Sequence, residues 1–365
     1  MTDNRIEAKL TEQQMCALGK KLGVAHSDLS PLRVFEEKYS GLKDVTEMPP
    51  GLINEDGRLE PGIASCLETL SKARSFGAVS HVGRFMMIDT AIYYSDTSLD
   101  HGVQLTNTGD AIRLESPPDI ADVLVTMSLS AGDGLLQKVD AGFDLPAEGT
   151  YVLFALIDIA RERQLRGMLS EKKAPPGAVL VEDIHRVMRR KDSGMQWMAP
   201  YLAGCLSLAC PESQAIAERL SGLEDSGLVK KVNSGWALTP LAEGIASELL
   251  VIDGHTRIRA AEYEERQGKG FVTDVRAIHG CSGAVLSWSH DEGSVSLMGI
   301  SQAQLNDMAE EFLHPQRAEA PSEEAVSLGE PVISCAACGA QMLPWYKFCE
   351  NCGAKAAVSG GGKGA

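Results

Sequence analysis

"FVTDVRAIHGCSGAVLSWSHDEGSVSLMGISQAQLNDMAEEFL" runs from Phe271 to Leu313. Its first part alternates apolar and polar residues, the period-2 pattern of half-buried strands. Asp291-Glu292-Gly293 supplies a turn between two of them. Ser301 then precedes Leu305, Met308 and Phe312, which recur at helical spacing. Strands, a serine cap and an amphipathic helix make an α/β unit.

An earlier block has the same grammar. "RFMMIDTAIYYSD" from Arg84 is rich in β-formers, "GVQLT" from Gly102 reads as another strand, and "DAIRLESP" alternates around Ile112 and Leu114. "SPPDIADVLVTMSL" follows, with Ser116 as the expected N-cap and the prolines in the opening turn. Setting Ser116 on Ser301 aligns Ile120 with Leu305, Val123 with Met308 and Met127 with Phe312, and Val295 and Leu297 roughly match Ile112 and Leu114. Two explanations stay open: a duplicated α/β unit, or two hairpin–helix segments that obey the same physics.

The first 75 residues read as short helices. Thr11 is an N-cap candidate ahead of Met15, Leu18 and Leu22, with Gly23 as a stop, and "PGIASCLETLSKARSFG" places Ile63, Cys66, Leu67 and Leu70 on one face. Cys16 and Cys66 on those apolar faces are read as small buried thiols. "AEGTYVLFALIDIARERQLRGML" is a long helix whose apolar first half turns basic, and "SEKKAPPGA" is an interior linker.

Between the α/β blocks, "MQWMAPYLAGCLSLA" is helical and Ile216, Leu220 and Leu223 mark a second helix ending near Gly227. Strand "LVKKV", turn "NSG", strand "WAL" and a helix capped by Thr239 follow. This order resembles a winged-helix module over about residues 183–250. The resemblance implies DNA or protein binding, and the acidic balance of "ESQAIAERLSGLEDSG" argues against DNA: Glu212, Glu218, Glu224 and Asp225 oppose Arg219 alone. Arg161 to Lys191 holds nine basic residues against four acidic ones. Within it "DIHRVMRRK" places Arg186, Arg189 and Arg190 at i, i+3 and i+4, the best candidate there for binding nucleic acid or an acidic partner.

Near the end, "CAACGAQMLPWYKFCENCGAKA" carries Cys335, Cys338, Cys349 and Cys352 as two Cys-x-x-Cys pairs, each followed by glycine. Zinc takes four thiolates in a tetrahedron, and a pair two residues apart on a tight turn supplies one edge of it. Gly339 and Gly353 let backbone N–H groups turn back toward the sulfurs. A disulfide pair, a redox dithiol and rubredoxin-type iron are the alternatives. The stretch resembles the C-terminal zinc ribbon of many bacterial proteins over about residues 333–356, down to Phe348 before the third cysteine. The resemblance implies one structural Zn2+ with no open coordination position. Trp345, Tyr346 and Lys347 would then form a partner-binding surface.

The expected fold class is therefore α+β and multidomain: α/β units flanking a winged-helix-like helical module, plus a tethered zinc ribbon. The divisions are an N-terminal α/β domain (1–168), a winged-helix-like domain (177–255), a second small α/β unit (268–314), a flexible acidic linker (315–332), the ribbon (333–356) and a disordered tail (357–365). A composition of 44% hydrophobic and 23% charged residues is that of an ordinary globular chain. The longest apolar run, Tyr151 to Ile157, is too short to cross a bilayer. The polar start "MTDNRIEAKLTEQQ" holds no secretory signal, so a cytoplasmic, thiol-reducing location is expected. A net charge of −16 disfavours nucleic acid.

The sequence carries no phosphate-loop, His-Glu-x-x-His, nucleophile-elbow or dinucleotide motif. "GKGF" lacks the phosphate-loop spacing, Ser170 and Lys173 have no partner motif, and His279 and Cys281 flank Gly280 as turn neighbours. The expectation is a non-enzymatic intracellular adaptor or regulatory protein with protein partners. The alternatives are a winged-helix DNA-binding regulator and a chaperone or adaptor of a secretion or assembly machine.

Overall fold

A computed structural model describes residues 5–41, 48–84, 86–96, 98, 101–129, 139, 141–170, 178–190, 194, 196–264, 269–314, 333–334 and 341–342. The protein is mixed α and β, with a large antiparallel sheet and ten helices among the described residues. It divides into two compact units built from interleaved segments. The first draws on the described residues of Met1–Ser130, Thr256–Asp274 and Asn306–Ser322, the second on those of Ala131–His255, Val275–Leu305 and Glu323–Ala365.

The first unit opens with strand β1 (Ile6–Leu10), then helices α1 (Glu12–Leu22), α2 (Pro31–Lys38) and α3 (Pro61–Ser71). Thr11 and Gln14 form a capping box at the start of α1, and Gly23 ends it at φ +69°, a conformation that costs glycine nothing. Strands β2 (Ser75–Gly83), β3 (Met87–Tyr94), β4 (Val103–Asn107) and β5 (Ile112–Ser116) then form an antiparallel meander. β5 returns to pair with β1, Leu114 opposite Ala8. Helices α1–α3 lie over that end of the sheet and bury Met15, Leu18, Leu32, Leu67 and Leu70 with Leu105 and Leu114. Helix α4 (Ile120–Leu129) follows.

Ser116 does not cap α4. It is the last residue of β5, and its hydroxyl donates to the Gly102 carbonyl at 3.0 Å. Two prolines hold the chain out of the helix, and the Asp119 carboxylate accepts the Asp122 N–H at 3.0 Å instead. Ser301 behaves as expected: its hydroxyl accepts the Gln304 N–H at 3.2 Å while the Gln304 side chain accepts the Ser301 N–H at 2.9 Å.

The second unit begins at β6 (Gly142–Pro146) and continues into α5 (Ala147–Leu169), which is buried on all sides from Gly149 to Ile159 and is the axis of that core. Around it pack α6 (Val181–Met188), α7 (Met198–Leu206), α8 (Ser213–Asp225), the hairpin β7 (Val229–Val232) and β8 (Gly235–Leu238), and α9 (Pro240–Glu248). Val179 pairs with Trp236 beside the hairpin. Asp158 on α5, fully buried, accepts the N–H groups of Met198 (3.1 Å) and Ala199 (2.9 Å) at the start of α7 and pairs with Arg161 at 2.9 Å. It thus satisfies amides that the helix leaves open. Burial pushes the Asp158 carboxyl up to about 6, against the pull of those amides and Arg161.

Strands β9 (Ile252–Glu264) and β10 (Lys269–Gly280) each contribute to both units; β11 (Val285–Asp291) and β12 (Ser294–Ile300) complete a second meander, and β12 pairs back onto β6. Helix α10 (Gln302–Leu313) follows. The connectivity of the first half therefore recurs: a strand, a helical insertion, four strands whose last rejoins the first, then a helix. The helical insertion of the second half carries the β7–β8 hairpin in addition.

In the first unit the C-terminal end of α10 lies directly on β2. A methyl group on Gly77 would overlap the Phe312 carbonyl, and the Tyr94 hydroxyl donates to the Leu313 carbonyl at 2.7 Å. Gly77→Ala is expected to lower stability by about 1–3 kcal/mol or more, because backbone, unlike a side chain, has no rotamer with which to yield. Urea denaturation of the variant beside the parent checks this.

Candidate functional site: an open sheet face in the first unit

Strand alternation puts Phe76, Ala78, Ser80 and Val82 on one face of β2, directly opposite Tyr93, Ala91, Asp89 and Met87 of β3. The same face continues onto β4 through Val103 and Leu105, then onto β5 and β1, where α1–α3 cover it. Tyr93 packs against the edge of that covered core. Beyond it Met87 is 62% exposed and Val82 51%, and on β10 Val272 is 68% exposed. This face is thus left partly open to solvent within the unit, with exposed apolar residues at Val82, Met87 and Val272 and polar Ser80, Asp89, Arg257 and Asp274 between them.

Strand β9 lies beside β2, with His81 Nδ1 2.8 Å from Thr256 Oγ1 and the Tyr263 N–H donating to the Arg74 carbonyl at 2.8 Å. It carries Arg257 and Arg259, both half-buried, between the buried Thr256, Ile258 and Ala260. Arg257 forks onto Asp274 of β10 at 2.9, 3.1 and 2.6 Å. Arg259 has no hydrogen bond or ion pair with any described residue. Burial and, next, the charge of Arg257 disfavour its cationic form, while Asp274, Tyr93 and Asp89 attract it from a distance. Asp89 is engaged elsewhere, accepting from Ser80 Oγ at 2.9 Å and Asn107 Nδ2 at 3.1 Å. A guanidinium with five donors is thus partly stripped of water and given no acceptor among the described residues.

The arginines singled out in the sequence are placed differently. Helix α6 ends at Met188, with Arg189 its C-cap, still in αR conformation and donating its N–H to the His185 carbonyl, and Arg190 directly after it. Arg186 pairs with Asp183; Arg190 pairs with Glu162 at 2.9 Å and stacks on Trp197 at 4.4 Å; Arg189 is exposed. Arg219 of α8 is bound to Glu148 at 2.6 Å. Cys335, Cys338, Cys349, Cys352, Trp345, Tyr346 and Lys347 lie outside the described residues, as do the 315–332 linker and the 357–365 tail. His279 is buried and Cys281 exposed around Gly280, where a methyl group would overlap the Glu248 carbonyl, so close backbone packing accounts for the glycine.

A second depression in the first unit, about 500 Å³, is lined by Cys66, Lys72, His101 and Ser116 among others. Burial pushes the Cys66 thiol up to about 11, which keeps it protonated and a poor nucleophile. Among the described residues no group of three or more His, Cys, Asp or Glu side chains is placed to hold a metal, and no helix is long and apolar enough to cross a membrane.

Sequence reasoning passed over β9 altogether. Its signal was present in "HTRIRAAEYE", where Arg257 and Arg259 alternate with Thr256, Ile258 and Ala260.

No protein family and no curated protein matches this chain. Among solved structures, the Mycobacterium tuberculosis type VII secretion system chaperone EspG5, in complex with the PE25–PPE41 dimer, is similar over 85% of this chain and 95% of that one, at 9% identity and a TM-score of 0.39. A likeness at that level carries no functional argument.

A half-buried charge with no acceptor among the described residues is a stability cost. Arg259→Leu is accordingly expected to leave the melting temperature unchanged or to raise it, in contrast to most substitutions at half-buried sites. Differential scanning calorimetry of the full chain checks the sign.

Proposed function

We propose that the chain is a non-enzymatic adaptor or regulatory protein that binds protein partners and carries a structural zinc ribbon as a docking module. The observation that carries this reading is the open face of the first unit, where exposed Val82, Met87 and Val272 share one sheet surface with Arg259. Exposed apolar side chains on one face of a sheet suit contact with another polypeptide. The net charge of −16 and the engagement of Arg186, Arg190 and Arg219 by carboxylates favour protein over nucleic acid.

The second reading, a winged-helix DNA-binding regulator, draws on one observation. Helices α6, α7 and α8 precede the β7–β8 hairpin, and Val179 and Trp236 exchange backbone hydrogen bonds at 2.7 and 2.9 Å, the helix-and-wing order of that module. A chaperone or adaptor of a secretion or assembly machine would use the same open face as the first reading.

Affinity purification from the native cell, followed by reconstitution from purified components, is expected to give a stable complex with a protein. Duplex DNA binding at micromolar concentration, lost on charge reversal of Arg186, Arg189 and Arg190, would establish the second reading in its place.

The zinc ribbon rests on the chemistry of its donor set, Cys335, Cys338, Cys349 and Cys352, four thiolates suited to a closed tetrahedral site. In sequence the first Cys-x-x-Cys falls between two short strands, Ile333–Ser334 and Gln341–Met342, which pair antiparallel. A reducing, cytoplasmic location belongs to this proposal, because the ligands are thiolates. Elemental analysis of protein purified under reducing conditions is expected to find one zinc per chain; a metal-free preparation that still binds its partner through this end would remove the module from the proposal.

A further inference from the structure

The open face of the first unit also says what chemistry its occupant brings. We infer that this face docks a polypeptide segment that lays apolar side chains on Val82, Met87 and Val272 and delivers a single carboxylate to Arg259. The inference rests on the protein-binding reading above and names the partner's contact group.

Arg257 is already committed to Asp274 through the Nε–Nη2 edge of its guanidinium, so it keeps its place and adds positive potential beside its neighbour. Arg259 is the complementary case: half-buried, next to Arg257 on the same face, and without an acceptor among the described residues. Tyr93 and Asp89 flank it, but the Asp89 carboxylate is held by Ser80 and Asn107. Folding has already removed part of its hydration, so an incoming carboxylate gains a forked pair and displaces less water from the arginine than a fully exposed one would require. One free guanidinium suits one singly charged group. A polyanion needs a series of cations, and the molecule's net −16 would repel it. The exposed apolar side chains elsewhere on the same face, Val82, Met87 and Val272, call for a partner that also brings hydrocarbon to the contact.

The test uses the full chain in its native cell, with a benzophenone-bearing amino acid at Met87 and, in separate variants, at other exposed positions such as Val34, Val125 and Leu169, and the cross-linked peptide read by mass spectrometry. Binding of the purified partner is then measured for the parent, Arg259→Glu and Arg259→Lys, after calorimetry has shown that each variant folds. The expected result is a cross-linked apolar segment containing Asp or Glu. Arg259→Glu should weaken binding about thirtyfold or more, Arg259→Lys less, and a change of that acid to Lys in the partner should restore binding to Arg259→Glu. A partner cross-linked at Met87 whose affinity ignores both Arg259 variants overturns the carboxylate and leaves the adaptor reading standing. Cross-links at Met87 to a second copy of this chain or to nucleic acid, or a partner that cross-links only elsewhere on the chain, overturn the docking face. A chain that cross-links no polypeptide from any position overturns both.

Discussion

Everything in the first unit depends on a strand that comes back. Ser116 pairs with Ile6 and Ile112 with Leu10 across more than a hundred residues of intervening chain, and that ladder is what shuts α1–α3 onto the sheet. The entropy of closing so long a loop grows only slowly with its length, so a short ladder backed by Leu10, Leu105 and Leu114 in a dry core can hold it. β12 and β6 solve the same problem in the second unit, with α5–α9 as the enclosed segment. Closure of this kind also decides where the sheet is covered. Helices inserted between the first and last strands lie over that end of one face, and in the first unit the same face of the strands further along stays open.

What could be read locally was read well. The capping box of Thr11, the helix of Ile63 to Leu70, the apolar first half of α5 and the two hairpin–helix stretches all declare themselves within a dozen residues, because capping and amphipathic spacing are short-range effects. The failures are equally physical. β1 is five residues long and becomes a strand only through its distant partner; "IEAKL" alone has no reason to leave a helical neighbourhood. Ser116 looked like a cap because serine before prolines and an apolar run usually is one, but the pairing with β1 extended β5 to include it, and Asp119 took the role.

The functional surface divides in the same way. The two Cys-x-x-Cys pairs suggest the proposed zinc through their spacing alone. Arg259 announces nothing, since its interest comes from what fails to reach it, and that depends on which strands the helices leave uncovered. The basic run at Arg186 to Arg190 shows the converse: prominent in the sequence, it is largely absorbed by Asp183, Glu162 and Trp197. Charge counted along a chain overstates what a surface offers when its counter-ions sit on neighbouring helices.

The interleaving of the two units has a temporal side. A ribosome delivers the chain from its amino end, and the first unit needs Thr256–Asp274 and the far end of α10 before its sheet and core are whole. Its first 130 residues must therefore wait, with the edge of β2 and the glycine that receives α10 uncovered, while more than a hundred residues are still being made. Nascent chains of this protein should accordingly lean on holding factors in the cell until translation has nearly finished, and fragments that stop short of β9 are poor stand-ins for the whole.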